Sequence, residues 1–176
     1  MMSFGMKMVQ NAYIVESLDE ACNQMHKLFG LGPFIIVRGI KLENHRYRGT
    51  KTDDVIVDAA VAQSGEQQIE LVELKNEVPN AMRDMYPGKG VVMHHVAHLD
   101  DDYDYKKIRD QLVAAGYPVV SEFNIHGGTD VCLVDTRPVF GHMLQLYSDI
   151  PFEQAMYKRA REITDAWDGK DVIVEW

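Results

Sequence analysis

The sequence is poor in cysteine and tryptophan, with two of each among 176 residues. Two thiols close one disulfide at most. Cys22 and Cys132 lie in apolar segments, with neither CxxC spacing nor a spaced histidine, so a disulfide scaffold and a cysteine-rich zinc module are both excluded. Reduced core thiols are the expectation, and with them a cytoplasmic location. An excess of positive charge is also missing: 18 Lys and Arg face 27 Asp and Glu, a formal net charge of −9. Duplex nucleic acid and anionic membrane surfaces would repel such a chain at long range. No apolar run approaches the ~20 residues of a membrane span. The opening MMSFGMKMVQN contains no apolar stretch of secretory-signal length. What is present is ordinary for a soluble globular protein, 46% hydrophobic and 26% charged. Disorder is therefore not expected, and the length suits one domain with a core of its own.

Helix signals are the clearest. Ser17 followed by Glu20 forms an S-x-x-E capping box, and Leu18, Ala21, Cys22, Met25, Leu28 and Phe29 follow on one face before Gly30. A second helix is predicted from about Asp102 to Ala115, with Tyr105, Ile108 and Leu112 on one stripe and Gly116 ending it. A third begins near Pro151, after Asp149, and carries Phe152, Met156, Ala160, Ile163 and Trp167 towards Gly169. DVIVEW reads as a short terminal strand or ordered tail. Strand signals, rich in β-branched or alternating residues, occupy Met8–Val15, Phe34–Lys41, Val55–Ala62 and Gln67–Leu74. They recur at Val91–Leu99, Val119–Ile125, Asp130–Asp135 and His142–Tyr147.

The order is strand, helix, three strands, then the same again, then a helix. Q-N-A-Y-I-V (10–15) lies over H-V-A-H-L-D (95–100), and Q-I-E-L-V-E (68–73) lies over H-M-L-Q-L-Y (142–147) with Glu70 on Gln145. The expected fold class is α+β: two βαβββ-type modules forming a cupped mixed β-sheet, helices outside, plus a C-terminal helix. The boundaries are 1–78 for the first module, 79–90 for a Pro/Gly-broken linker, 91–148 for the second module and 149–176 for the terminal helix and tail, all in one structural domain. Paired halves place equivalent strands around one concave surface, where a small molecule can bind.

The strings QNAYIVESLDEA, FGLGPF, QQIELVE, GVVMHHVAHLDD and GHMLQLYS resemble, in order and spacing, the vicinal-oxygen-chelate superfamily. Its members include glyoxalase I, methylmalonyl-CoA epimerase, bleomycin-resistance proteins and extradiol dioxygenases; the glyoxalase I and epimerase branch is nearest. The resemblance runs from about residue 8 to 148. It implies four positions around a divalent metal, the first strand and the last strand of each half. Carried over singly, these are Gln10, Glu70, His95 and Gln145. The fourth position usually holds Glu, which in some relatives also moves protons. An amide at Gln145 accepts no proton at ordinary pH.

One imidazole, one carboxylate and two amide oxygens make a mixed N/O shell that suits Zn, Ni, Co, Mn or Fe without choosing among them. With one anionic ligand, such a site would keep positive charge and polarise a carbonyl oxygen. Each residue also has a plainer reading: His95 as a hydrogen-bonded core histidine, Glu70 as the solvent-facing residue between Ile69 and Leu71, and Gln10 and Gln145 as ordinary polar strand residues. Their joint placement carries the metal reading. His94 and His98 share the strand face opposite His95, so they reach the same site only through a bulge.

The chemistry implied is proton transfer beside a carbonyl, giving a metal-dependent isomerase, epimerase or lyase for a small, anionic or acyl-CoA substrate. Glu70 is the candidate catalytic base, with Glu73, Glu122, Asp135, His98 and His142 as unranked alternatives. Arg46 and Arg48, with Tyr47 between them, are candidate substrate-binding residues in a basic stretch; a solvated face explains that stretch more simply. The competing reading is a metal-free sequestering protein of the bleomycin-resistance type. A ring-cleaving dioxygenase is the third, disfavoured because only one proposed position is His. The expected partners are a small-molecule substrate and a second copy of the chain in a homodimer, without nucleic acid or membrane.

Overall fold

Where strands alternate inward and outward residues, the sheet must find a surface for each face. Here it does so by closing on itself. The structure, a computed structural model, describes residues 7–99, 104–125, 127–148 and 150–176. The first half contributes β1 (Lys7–Val15), α1 (Leu18–Phe29), β2 (Phe34–Tyr47), the short β3 (Thr50–Lys51), β4 (Val55–Ser64) and β5 (Gln67–Leu74). The second contributes β6 (Val91–Leu99), α2 (Tyr105–Ala114), β7 (Val119–Ile125), β8 (Thr129–Val134), the one-turn α3 (Arg137–Phe140) and β9 (Met143–Tyr147). The chain ends with α4 (Ile150–Asp165) and β10 (Ile173–Glu175). No described helix is long and apolar enough to cross a membrane.

Neighbouring strands run β2-β4-β5-β1-β6-β9-β8-β7, and β7 returns to pair with β2, so the expected cup is a barrel. The halves are topologically equivalent about the β1–β6 seam. β1 runs parallel to β5 as β6 runs parallel to β9, while β1 and β6 are antiparallel. β2 is the longest strand because it serves two neighbours on one edge: Phe34–Ile36 pair with β10, and Glu43–Tyr47 pair with β7. On its other edge it pairs with β4, with a bulge between Val37 and Ile40. Gly39 supplies the left-handed residue of that bulge (φ 66°), and its N–H donates to Asp58 Oδ1 at 2.7 Å.

Three apolar clusters hold the layers. Ile14, Leu42, Val57, Val72, Ala97, Phe123, Leu133 and Met143 belong to the barrel interior. Outside it, α1 presses Leu18, Ala21 and Cys22 onto Phe34, Ile36, Ala60 and Leu71. α2 places Tyr105, Ile108 and Leu112 on Cys132, Val134, Leu144 and Leu146. Each fully buried Leu or Ile stabilises by roughly 1.5–3 kcal/mol, so either helix is held by its stripe rather than by its ends. Both cysteines are free and buried in these outer clusters, and burial pushes each thiol up to about 12. They are inert core residues.

Several local expectations change. Ser17 occupies the cap position of α1 but makes no side-chain cap hydrogen bond. Instead the N–H of Leu18 donates to Glu73 Oε2 from β5 at 2.9 Å, so a tertiary carboxylate replaces the local capping box. α2 starts at Tyr105 behind Asp104, whose carboxylate accepts from the Lys107 N–H; Asp102 lies outside the described residues. β2 continues past Lys41 to Tyr47 because β7 offers it a partner. α4 ends at Asp165, before Trp167, and buries Ile150, Glu153 and Ala160. Asp149, expected to precede it, lies outside the described residues.

Ser17→Ala should leave the unfolding free energy within about 0.5 kcal/mol of wild type, whereas Glu73→Ala should cost about 1 kcal/mol or more. Urea unfolding of the two variants checks the assignment; equal costs would restore the local cap.

Candidate functional site

Two rows of side chains cross the four strands around the seam. Ala12 of β1 pairs with Glu70 of β5 on one side and His95 of β6 on the other. Gln10 pairs with Gln68 and Ala97, and Ala97 pairs with Gln145 of β9. Cross-strand partners share a face, so Gln10, Gln68, Glu70, His95 and Gln145 all project into the barrel, where they line one cavity. Ala12 and Ala97 are fully buried. Their small side chains let the larger polar groups on either side approach: His95 Nε2 lies 3.4 Å from Glu70 Oε2. The four positions singled out from sequence are therefore brought together.

The bulge that alternation demanded is present. Across from β1 the register steps from His95 directly to Met93, leaving His94 as the extra residue. Its ring turns edge-on to that of His95, with Nδ1 atoms 2.9 Å apart, and its Nε2 lies 3.2 Å from the Ala81 carbonyl oxygen. A carbonyl only accepts, so His94 carries its hydrogen on Nε2. Burial, and then the neighbouring His95, push the His94 imidazole down to about 3, so its Nδ1 is a bare lone pair at neutral pH. The hydrogen between the two rings therefore belongs to His95 Nδ1. That leaves His95 Nε2 facing a carboxylate, buried and without a hydrogen-bond partner. The gap between these two atoms is one that a proton, a water or a metal cation would fill.

The donor set can be tested on these atoms. Gln10 donates its amide N–H to Gln68 Oε1 at 3.4 Å, while its own Oε1 is buried without a hydrogen-bond partner. Gln145 donates to the Tyr147 hydroxyl at 2.6 Å, leaving its oxygen as the coordinating end. Two ligands on a tetrahedral ion with bonds of ~2.1 Å stand ~3.4 Å apart, the spacing His95 and Glu70 have. The His95–His94–Ala81 chain is the outer hydrogen bonding a ligating histidine ordinarily has. The residues fit a divalent ion with mixed N/O donors. They do so weakly, since no cluster of three His, Cys, Asp or Glu occurs among the described residues.

The rest of the cavity is apolar. It has a volume of about 150 Å³, with walls that include Ile35, Val37, Ile40, Leu42, Phe123 and Val131. Glu153, Met156, Tyr157 and Ala160 of α4, together with Trp176, complete the lining, so the C-terminal segment covers the hollow. That segment is pinned at Trp167. Its indole N–H donates to the Asp171 carbonyl at 3.0 Å, and its ring lies where a Cβ on Gly32 would come within 2.8 Å. Tyr147 is buried and accepts from the Gln145 amide. Its hydroxyl is held well above the ordinary phenol range by burial first, then by Tyr157, Glu153 and Glu70.

Among the described residues the cavity lining contains no Lys or Arg. Arg46, Tyr47 and Arg48 lie away from it, at the end of β2. Tyr47 donates to Asp84 Oδ1 at 2.6 Å, Arg48 bonds Tyr47 and Asp84, and Arg46 caps the Gly49 carbonyl. Tyr47 and Arg48 tie β2 to the segment between the halves, while Arg46 closes the turn after β2. The alternative bases are elsewhere too. Glu73 caps α1, Asp135 is clamped by Arg137, which holds its carboxyl below the usual range, Glu122 faces Arg109, and neither His98 nor His142 lines the cavity. Sequence reasoning missed His94 as the partner of His95, because strict alternation hid it. It also missed Glu153 and Tyr157, because a helical stripe was read from apolar residues only; spacing from Ile150 and Ala160 would have found them.

The family model described as the Glyoxalase/Bleomycin resistance protein/Dioxygenase superfamily matches residues 9–133. The chain belongs to this superfamily. The matched span includes Gln10, Glu70 and His95 but neither Gln145 nor α4. Among solved structures sharing this superfamily fold is a hypothetical protein from Bacillus halodurans C-125, 15% identical, with TM-score 0.57 and covering 82% of this chain and 94% of that one. Another is methylmalonyl-CoA epimerase from Mycobacterium tuberculosis, 14% identical, with TM-score 0.54 and covering 84% and 91%. At such identities the likeness is one of fold. No curated protein matches the sequence.

The buried histidines generate a pH prediction. His94 and His45 both titrate below the ordinary value of 6.5, each chiefly through burial. The folded protein thus binds fewer protons than the unfolded chain in this range. Their contribution is complete above pH 6.5 and is lost as pH falls towards the folded values, the lower being about 3. Urea unfolding across that window should show stability falling with pH, and a His45→Asn/His94→Gln double variant should show a shallower slope. A variant slope as steep as wild type would place the titration elsewhere.

Proposed function

We propose that this superfamily member is a metal-dependent isomerase or epimerase that moves a proton beside the carbonyl of a small substrate. The observation supporting this most directly is His95 Nε2, fixed as an acceptor by the His94–Ala81 chain and facing Glu70 at 3.4 Å. His95 and Glu70 would hold a divalent ion, with the oxygens of Gln10 and Gln145 completing the set. When bound, the ion supplies positive charge that stabilises the oxyanion developing on the substrate carbonyl. The apolar walls orient the substrate, and the Gln145–Tyr147 hydrogen bond holds the polar end.

Cavity size and charge narrow the substrate. An apolar cavity of ~150 Å³ takes a molecule the size of benzene. With Glu70 and Glu153 in the lining and no Lys or Arg among the described residues, a compact neutral carbonyl compound is favoured over a phosphate or a whole CoA thioester. A second reading, a metal-free protein sequestering a small ligand, draws support from the same enclosure and from the single imidazole and carboxylate at the polar end.

Elemental analysis of protein purified without added metal should find a divalent ion near one per chain, and His95→Ala should lose it. Wild type should also catalyse deuterium uptake from solvent into compact α-hydroxyketones. Protein that contains no metal, catalyses no exchange and still binds such compounds would favour sequestration.

A further inference from the structure

The segment between the halves, expected from sequence to be a linker, contains a buried turn. Asn80, Ala81 and Met82 are nearly inaccessible. Asn80 shapes the turn from within. Its Oδ1 accepts from the N–H groups of Met82 and Arg83 at 2.8 and 3.2 Å, and its Nδ2 donates to the Val78 carbonyl at 2.7 Å. Ala81 then has a partner on either side: its carbonyl accepts from His94 Nε2, and its N–H donates to Ser121 Oγ of β7 at 3.0 Å. Ser121 Oγ also lies 3.2 Å from Nε2 of His45, a fully buried residue of β2. On the far side of that ring, His45 Nδ1 lies 2.6 Å from the Thr52 hydroxyl.

The direction of each hydrogen follows from its neighbour. Thr52 donates its hydroxyl hydrogen to the Asp53 carbonyl at 3.0 Å, so its oxygen accepts from His45 Nδ1–H. Burial holds the His45 imidazole below its ordinary range, so the ring is neutral and its Nε2 accepts. Ser121 supplies that hydrogen from its hydroxyl while accepting the Ala81 N–H. From His95 through His94, Ala81, Ser121 and His45 to Thr52, every donor points the same way, and such bonds polarise one another. Thr52, His45, Ser121, Ala81 and His94 all stand outside the cavity lining.

We propose that Ser121 is a positioning residue that, through Ala81 and His94, decides which ring nitrogen of His95 faces the cavity. Its hydroxyl anchors the Ala81 amide, and that anchor sets the Ala81 carbonyl against His94 Nε2. The carbonyl fixes the His94 hydrogen on Nε2 and leaves Nδ1 to accept from His95. His95 then presents Nε2, without a hydrogen, towards Glu70. A serine on β7 of the second half and a turn between the halves thus preset the polar end before any ligand enters. The assignment rests on His95 being the working imidazole of the proposed function, while the tautomer it demands needs no metal.

Nitrogen NMR of the histidine rings, on metal-free protein at mildly alkaline pH, tests the chain directly. Wild type should carry the His95 hydrogen on Nδ1 and leave Nε2 bare, with a coupling across the hydrogen bond between the Nδ1 atoms of His94 and His95. A His95 hydrogen found on Nε2 overturns the proposal. In Ser121→Ala, His95 should become a mixture of both tautomers. Zn²⁺ affinity, measured by calorimetry, should fall by about 10-fold, as when a group that orients a ligating histidine is lost. Ser121→Thr, which keeps the hydroxyl, should restore both. Wild-type His95 shifts in Ser121→Ala overturn the assignment, because Ser121 then only satisfies a buried amide. Ser121→Thr behaving as Ser121→Ala also overturns it, since packing and not the hydroxyl would be responsible. If Ser121→Ala does not fold, the wild-type ring shifts decide together with exchange of the Ala81 amide hydrogen; exchange as fast as in an open loop counts against the proposal. Wild-type protein that binds none of Zn²⁺, Ni²⁺, Co²⁺ and Mn²⁺ overturns the metal reading, and the ring shifts then judge Ser121 separately.

Discussion

The antiparallel pairing of β1 with β6 joins the two halves and sets the depth at which every polar side chain enters the barrel. Each half carries the same offset. The residue two places after Gln10 pairs with Glu70, and the residue two places after His95 pairs with Gln145. The seam then brings the two pairs together, with Ala12 opposite His95 and Ala97 opposite Gln10. A slip of one residue at this seam would turn one set of polar groups out of the cavity. The seam has a register shift between Met8 and Gln10 and a bulge at His94, and the bulge supplies His95 with the hydrogen-bond partner that orients it.

The polar end works against solvation. His95 and Gln10 are nearly fully buried, and each points an acceptor atom into the cavity without a protein donor. Unsatisfied buried acceptors cost about 1–3 kcal/mol each, a cost that an ordered water, an ion or a ligand removes. The apolar remainder of the barrel contributes the opposite term. Its Ile, Val, Leu and Phe walls stabilise the fold and keep the local dielectric low, which strengthens any charge interaction at the polar end.

The C-terminal segment changes what the barrel is. β10 extends the sheet along Phe34–Ile36, Trp167 packs against Gly32, and α4 covers the hollow. Without that cover the polar rows would face an open concave surface. With it they end a small, partly covered hollow, and the cover adds a carboxylate of its own.

Much of this was legible in residues. Apolar alternation and two Gly-terminated helical stripes were enough for the element order and the duplication, because strand and helix periods act locally and leave their mark in each segment. Gln10, Glu70, His95 and Gln145 could be singled out because the resemblance to the superfamily implies those positions and the two halves repeat them in order along the chain. The partner of His95 was not legible, since a bulge arises from how two strands are paired and not from either alone. Glu73 as the cap of α1 is likewise a contact between residues 55 apart in sequence, which no local capping pattern contains. Arg46 and Arg48 were candidates for an anion site, with a solvated face the simpler reading; in the folded chain Arg48 bonds Asp84 and Arg46 the Gly49 carbonyl. Closure of the sheet, the seating of α4 and the entry of Glu153 into the chamber were decided by tertiary packing. The sequence by itself determined which residues are apolar and which can carry charge; only the folded chain decided which of them meet, because distance in space is set by pairing and packing rather than by order along the chain.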